Sequence, residues 1–158
     1  MTAMDLEFEF AFVAENGQLL RVGKGPSGTR IVAPITGGPV TGARVHGTLA
    51  PGSGADWLLI GADGSVRLDV RFQIVTDDGA FIYVSYPGVV QPTDKLKAAM
   101  MSPDTAWPEE TSYDDQYFRA TPRLETGDER YAWVSQTVFV ARGRLASNGV
   151  GFEVYRVT

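Results

Sequence analysis

Hydrophobic and polar residues alternate along most of this chain with a period of two, the mark of strands that bury one face. The clearest run is SVRLDVRFQIVTDDGAFIYVSY, from Ser65 to Tyr86. Val66, Leu68, Val70, Phe72 and Ile74 alternate with Arg67, Asp69, Arg71 and Gln73. Asp78-Gly79 separates this run from a second, in which Ala80, Ile82, Val84 and Tyr86 share one face and Phe81, Tyr83 and Ser85 the other. Asp-Gly between two alternating runs is a hairpin signal, so an antiparallel β protein is predicted.

The rest of the chain extends the pattern. Leu6, Phe8, Phe10 and Phe12 alternate with Glu7, Glu9 and Ala11, Asn16-Gly17 turns the chain, and Gln18 to Val22 can pair back. The run GKGPSG from Gly23 to Gly28 precedes a strand rather than a helix, so it reads as a glycine turn and not as a phosphate loop. Arg30 to Ile35 is a short strand, and Gly37-Gly38 after it implies positive φ or close backbone approach. Further strands are predicted over Gly42 to Leu49, which contains His46, and over Ala55 to Ile60. Thr93 to Met101 reads as one short helix with Thr or Asp as its cap. Asp104 to Asp115 is expected to be a surface loop. Tyr117 to Leu124 is then a strand with Tyr117, Arg119, Thr121 and Arg123 on one face, and Tyr131 to Ala141 is another long strand. Asn148-Gly149 makes the final turn, before Gly151 to Val157. The prediction is an all-β fold: a single antiparallel β-barrel of roughly nine or ten strands with one short helix, forming one domain over residues 1–158.

Composition narrows the function. The formal net charge is −5 with no basic block, which argues against a nucleic-acid partner. There is no cysteine, which removes disulfides, thiolate metal sites and Cys nucleophiles. His46 is the only histidine, so no multi-histidine metal site can be built in one chain, and no metal or cofactor is expected. No apolar run approaches the ~20 residues of a membrane helix, and Met1 to Asp5 is not a charged and apolar signal segment, so no membrane partner is expected and the cytoplasm is the default location.

Several phrases occur together in a fixed order: Pro34-Ile35-Thr36-Gly37-Gly38, Gly54-Ala55-Asp56-Trp57, Leu68-Asp69-Val70-Arg71, Thr76-Asp77-Asp78-Gly79-Ala80, Tyr117-Phe118-Arg119, Pro122-Arg123-Leu124-Glu125-Thr126-Gly127 and Tyr131-Ala132-Trp133. The series resembles the DUF3237 family, also called UPF0311, over nearly the whole chain from Leu6 to Val157. The resemblance implies a small antiparallel β-barrel and leaves the chemistry open, because the family's biochemical role is largely unassigned. Where the family pattern places Asn after Trp-Leu, this chain has Trp133-Val134-Ser135, and Ser135 has the shorter reach.

The candidate site rests on the hairpin. Asp69 and Arg71 share a strand face that points either to solvent or into the lumen. Asp69, Arg71, Tyr83 and Arg119 are expected to converge on one pocket, with Asp69 as proton acceptor, the arginines as oxyanion holders and Tyr83 as donor. Asp56, Trp57, Tyr117, Glu125, Tyr131 and Trp133 are expected at or near it as binding residues. Asp56 either caps its Gly-rich turn or, with a raised pKa, acts as a base. The pocket would favour an anionic or carbonyl-bearing small molecule. The leading reading is a cofactor-independent enzyme of isomerase or lyase type that moves a proton next to a carbonyl. The alternatives are a small-molecule carrier, or a structural module that forms a homo-oligomer through exposed strand edges.

Overall fold

The computed structural model describes residues 3–101 and 109–158. The described chain forms one mainly antiparallel sheet with a short α-helix and a short 3-10 helix. Its strands are β1 (Leu6–Asn16), β2 (Leu20–Gly25), β3 (Gly28–Gly37), β4 (Pro39–Gly42), β5 (Gly47–Leu49), β6 (Gly54–Ile60), β7 (Val66–Thr76) and β8 (Phe81–Val90), followed by β9 (Phe118–Ala120), β10 (Arg123–Glu125), β11 (Phe139–Ala146) and β12 (Gly149–Val157). Pairing runs from β7 through β8, β9, β11, β12, β1, β4 and β5 back toward β7. The β9–β11 and β4–β5 ladders hold only two residue pairs each, so the sheet is barrel-like rather than a fully hydrogen-bonded closed cylinder.

The central hairpin forms as its pattern requires. Val66, Leu68, Val70, Phe72, Ile74 and Thr76 are buried, and Arg67, Asp69 and Arg71 are exposed. Val66 to Val75 pair in one unbroken register with Val90 to Phe81. At the tip, Gly79 has φ 90° and its N–H donates to Thr76 O at 2.9 Å. The Thr76 hydroxyl donates to Asp78 Oδ1 at 2.6 Å and accepts from Ala80 N at 2.8 Å. Inside, Phe12, Phe72, Tyr86 and Phe152 form a pile of rings with centroids 5.2–6.3 Å apart, and Phe118 joins it at 5.3 Å from Phe152. The interior is therefore packed with aromatic and aliphatic groups, and the polar face of β7 is on the outside.

The predicted Gly42 to Leu49 strand is instead a hairpin: β4 and β5 pair with each other, Val40 opposite Gly47. Val45, fully buried, pins the bend between them, and a Cβ on Gly42 would lie 2.6 Å from Glu9 O. The Tyr117 to Leu124 run keeps a single register along β8, from Val90↔Phe118 to Tyr83↔Glu125, but Pro122 interrupts it into β9 and β10.

The long strand predicted from Tyr131 is also corrected. Residues Glu129–Gln136 form the 3-10 helix, and β11 begins only at Phe139. Asp128 caps it, accepting from Arg130 N at 3.0 Å, and the backbone kinks at Tyr131, which is buried together with Val134. Arg44 bonds the buried Glu9 and stacks 3.7 Å over the Trp133 ring, which ties this helix to β1.

The α-helix, α1 (Asp94–Met101), buries Leu96, Ala99 and Met100, and Thr93 Oγ1 accepts from Leu96 N at 3.3 Å. Residues 104–108 of the expected surface loop lie outside the described residues. Its later part is strapped to β11: Thr111 is buried and Leu145 N donates to its hydroxyl at 2.9 Å. No described helix is long and apolar enough to cross a membrane.

Candidate functional site

The hairpin residues singled out from sequence lie on the outer face and do not meet in one pocket. Arg71 bonds both oxygens of Asp69, at 3.1 and 3.2 Å, and lies 4.7 Å over the Trp57 ring. Tyr83 and Glu125 face one another across β8 and β10 and line an open groove of about 940 Å³ together with Arg123 and Ser135. Arg119 and Tyr117 line a different cleft of about 540 Å³. The physical reason for the separation is the packed lumen: a guanidinium facing it would be desolvated without a partner, so the arginines of the hairpin face outward. Tyr131 donates to both oxygens of Asp78, at 2.8 and 2.9 Å, and so clamps the hairpin tip. Trp133 packs against Phe139 and Arg44. His46 is exposed beside Asp77, at 2.6 Å.

Asp56 is placed differently from all of these. It lies on β6 with its side chain on the inner face, in a cross-strand row with Ala33 on β3, Val70 on β7 and Tyr86 on β8. Between the pairs Asp56↔Val70 and Leu59↔Arg67 the β6–β7 ladder opens. Asp56 Oδ1 accepts from Asp69 N at 3.1 Å there, and Arg30 Nη1 donates to Trp57 O at 2.7 Å. The two backbone groups left by the opening are thus satisfied by side chains. Asp56 therefore does bond a backbone amide, but on the neighbouring strand rather than in its own Gly-rich turn.

This opening adjoins an inner cavity of about 40 Å³, room for roughly three waters. Asp56, Tyr86 and Asn16 are its polar wall residues, and Leu58, Val70 and Phe152 are among the apolar ones. Protein encloses Asp56 on nearly all sides, and part of its surface still reaches the cavity. Burial raises its pKa to about 7, against the opposing hydrogen bond from the Asp69 amide. Burial also pushes the Tyr86 phenol well above its ordinary range, and the nearby Asp56 charge adds to the shift. Among the described residues, Asp56 Oδ2 and the Tyr86 hydroxyl take part in no hydrogen bond, and Asn16 Oδ1 is buried without a partner. The lumen thus presents a carboxyl that titrates near neutrality, a phenol that stays protonated and a free carbonyl acceptor.

Tyr86 and Asn16 were not singled out from sequence. Tyr86 did have a signal, as the one hydroxyl on the inward face of Ala80, Ile82 and Val84. Asn16 reads as a turn residue, and only the β1–β3 pairing brings it to the cavity. No cluster of three or more His, Cys, Asp or Glu able to hold a metal occurs among the described residues.

Fold and site together define a barrel-like β protein with an acid–base group in its lumen. The pattern of the family described as "Protein of unknown function (DUF3237)" matches residues 4–157, and the chain belongs to that family. The UPF0311 protein blr7842 of Bradyrhizobium diazoefficiens is 32% identical over 154 residues, covering 98% of this chain and 97% of that one. The protein of unknown function RPA1785 from Rhodopseudomonas palustris has a crystal structure with TM-score 0.88 and 29% identity, covering all of both chains. A β-barrel-like protein of Acinetobacter baumannii has TM-score 0.79 and 28% identity, covering all of this chain and 98% of that one. The hydroalkoxylation enzyme phnH of Penicillium herquei is 30% identical over 112 residues, 67% of this chain and 74% of that protein.

Proposed function

We propose that this protein is a cofactor-independent acid–base enzyme whose lumen adds a hydroxyl across a carbon–carbon double bond next to a carbonyl, or runs the reverse elimination. The observation that carries the reading is Asp56: a carboxyl enclosed in an apolar lumen, raised to about 7, with Oδ2 free toward a cavity. A base with a pKa near the working pH combines a large deprotonated fraction with useful proton affinity. The name of the Penicillium relative supports the reaction class.

The step balances without a redox partner. The substrate O–H passes its proton to Asp56 Oδ2 as the oxygen bonds the β-carbon. The alkene electron pair moves toward the carbonyl oxygen, where the Tyr86 hydroxyl stabilises the developing charge. Asp56 then returns the proton to the α-carbon. These are the roles of acceptor and donor expected of the site, carried by Asp56 and Tyr86 rather than by Asp69 and Tyr83.

The cavity has room for only about three waters, so its wall must widen around even a small substrate, and the test uses 5-hydroxypent-1-en-3-one, which closes to tetrahydropyran-4-one. Loss of the vinyl protons is followed by NMR, with the uncatalysed rate subtracted. The expected result is closure by the wild type with kcat/KM rising through about pH 7 and a loss of at least about a hundredfold in Asp56→Asn, the lower range for general acid–base catalysis. Equal rates for wild type and Asp56→Asn, in protein that is folded by circular dichroism, would overturn the assignment.

A further inference from the structure

We infer that the outer cleft between β7, β8, β9 and β11 binds a small molecule that carries a carboxylate on an apolar body. This cleft, of about 540 Å³, shares Leu68 with the inner cavity but none of that cavity's polar wall residues, and its apolar lining includes Pro87, Val89, Val140 and Ala141. Arg67, Val89 and Arg119 form one cross-strand row over it, Arg67 opposite Val89 on one side and Arg119 opposite Val89 on the other. Two strand spacings put the arginine Cα atoms about 10 Å apart, and side chains of that length can close on a single carboxylate above Val89. Tyr117, half exposed, carries the Arg119 guanidinium 5.1 Å over its ring.

The charge balance leaves both arginines of this cleft without a carboxylate; among the described residues Arg30 and Arg123 share that state, but Arg30 donates to Trp57 O and Arg123 lines the other groove. Arg44, Arg71, Arg130, Arg142, Arg144 and Arg156 each have a carboxylate within salt-bridge distance. Arg67 and Arg119 have none among the described residues, although the chain has five more acids than bases. Arg119 Nη1 donates only to Phe118 O, at 3.1 Å. Asp63, four residues before Arg67, accepts from Ser65 N and Oγ, and the Arg67 charge acts on it only from beyond salt-bridge distance. Asp69, two residues along β7, is taken by Arg71. Two planar donor forks over an apolar floor, with Tyr117 at the side, fit a carboxylate head and a hydrocarbon or aryl tail.

The test titrates 4-phenylbutyrate and its neutral counterpart 4-phenylbutan-1-ol into wild type, Arg67→Gln, Arg119→Gln and Asp56→Asn protein, followed by amide NMR shifts at low salt. The expected result is saturable binding of the acid, with shifts at Val89, Arg119 and Val140, and affinity for the alcohol about tenfold weaker or less. Each Arg variant should weaken the acid by about tenfold and leave the alcohol unchanged. Asp56→Asn should leave both unchanged, which keeps this outcome separate from that of the lumen chemistry. Equal affinity for acid and alcohol, insensitivity of the acid to both Arg variants, or shifts confined to lumen residues would overturn the inference.

Discussion

Asn16 is the residue that the fold leaves least satisfied. Its Nδ2 donates to Pro34 O at 3.4 Å, and its Oδ1 is buried with no partner. Flipping the amide does not help, because Oδ1 would then face the Pro34 carbonyl. A buried acceptor without a donor costs roughly 1–3 kcal/mol, so a residue chosen for stability alone would be apolar here. The one proton of the substrate hydroxyl goes to Asp56, so in the proposed reaction the missing donor is a water held in the same cavity, whose second hydrogen bonds a substrate oxygen. Asn16→Leu is therefore expected to melt at the wild-type temperature or above it, while KM for the hydroxy-enone rises by about tenfold, the worth of one hydrogen bond to substrate. Thermal melts and initial rates on the same preparation check both halves. A variant that melts lower with KM unchanged would make Asn16 a structural residue only.

Among the elements, those with a strict period and a turn of known chemistry were legible in the sequence. The β7–β8 hairpin, the α-helix behind Thr93 and the outward face of Tyr117, Arg119, Thr121 and Arg123 all follow from local pattern. What failed depended on contacts distant in sequence. Tyr131 to Gln136 looks like a strand because its aromatic residues favour strands, yet Asp128 caps a 3-10 turn there and Arg44 reaches over from another element to stack on Trp133. The direction of the β7 polar face was equally hidden, because it depends on the ring pile contributed by β1, β8, β9 and β12. So was the site: Asp56 was legible as a candidate, but its row with Val70 and Tyr86 exists only after three strands pair. The Arg44 clamp makes a prediction at this scale. Glu9 is 6% exposed, and Arg156 approaches its Oε1 only at 3.9 Å. Arg44→Ala should leave the Glu9 charge largely unpaired, and with Arg44 itself half exposed we expect a loss of about 1–3 kcal/mol in urea unfolding, below the range for fully buried pairs. Arg44→Ala combined with Glu9→Gln should recover part of that loss. A double variant no more stable than the single one would place the effect in lost stacking on Trp133 instead.

For the molecule as a whole, the proposed site has a cost in stability that depends on pH. Asp56 titrates at about 7 in the folded chain, above the ordinary carboxylate value it would have when unfolded. Between these values the unfolded chain has released the proton and the folded chain still holds it, so stability falls as pH rises. The penalty is absent below the unfolded pKa and complete above about pH 7, where a gap of about three pH units corresponds to as much as about 4 kcal/mol. Asp63, Asp78, Asp115 and Asp128 act in the opposite sense: hydrogen bonds from Ser65, Thr76, Ser112 and Arg130 hold their carboxyls below the ordinary value. Their contribution is present above the ordinary carboxylate value and is lost as pH falls, so the wild-type profile alone mixes the two effects. The difference between Asp56→Asn and wild type isolates the first, because the exposed carboxyls are common to both proteins. The amide introduced by Asp56→Asn can still accept from the Asp69 N–H through its carbonyl oxygen, and it carries no charge at any pH. Urea unfolding from about pH 4 to pH 8 should show a stability difference near zero at the acid end that grows in favour of Asp56→Asn and levels off above about pH 7. The same variant is expected to have lost turnover, because in the proposed reaction the group that weakens the fold near neutral pH is also the base. A difference that stays flat across this range would mean that Asp56 ionises as freely in the folded chain as in the unfolded one, and the lumen would then hold no base matched to neutral pH.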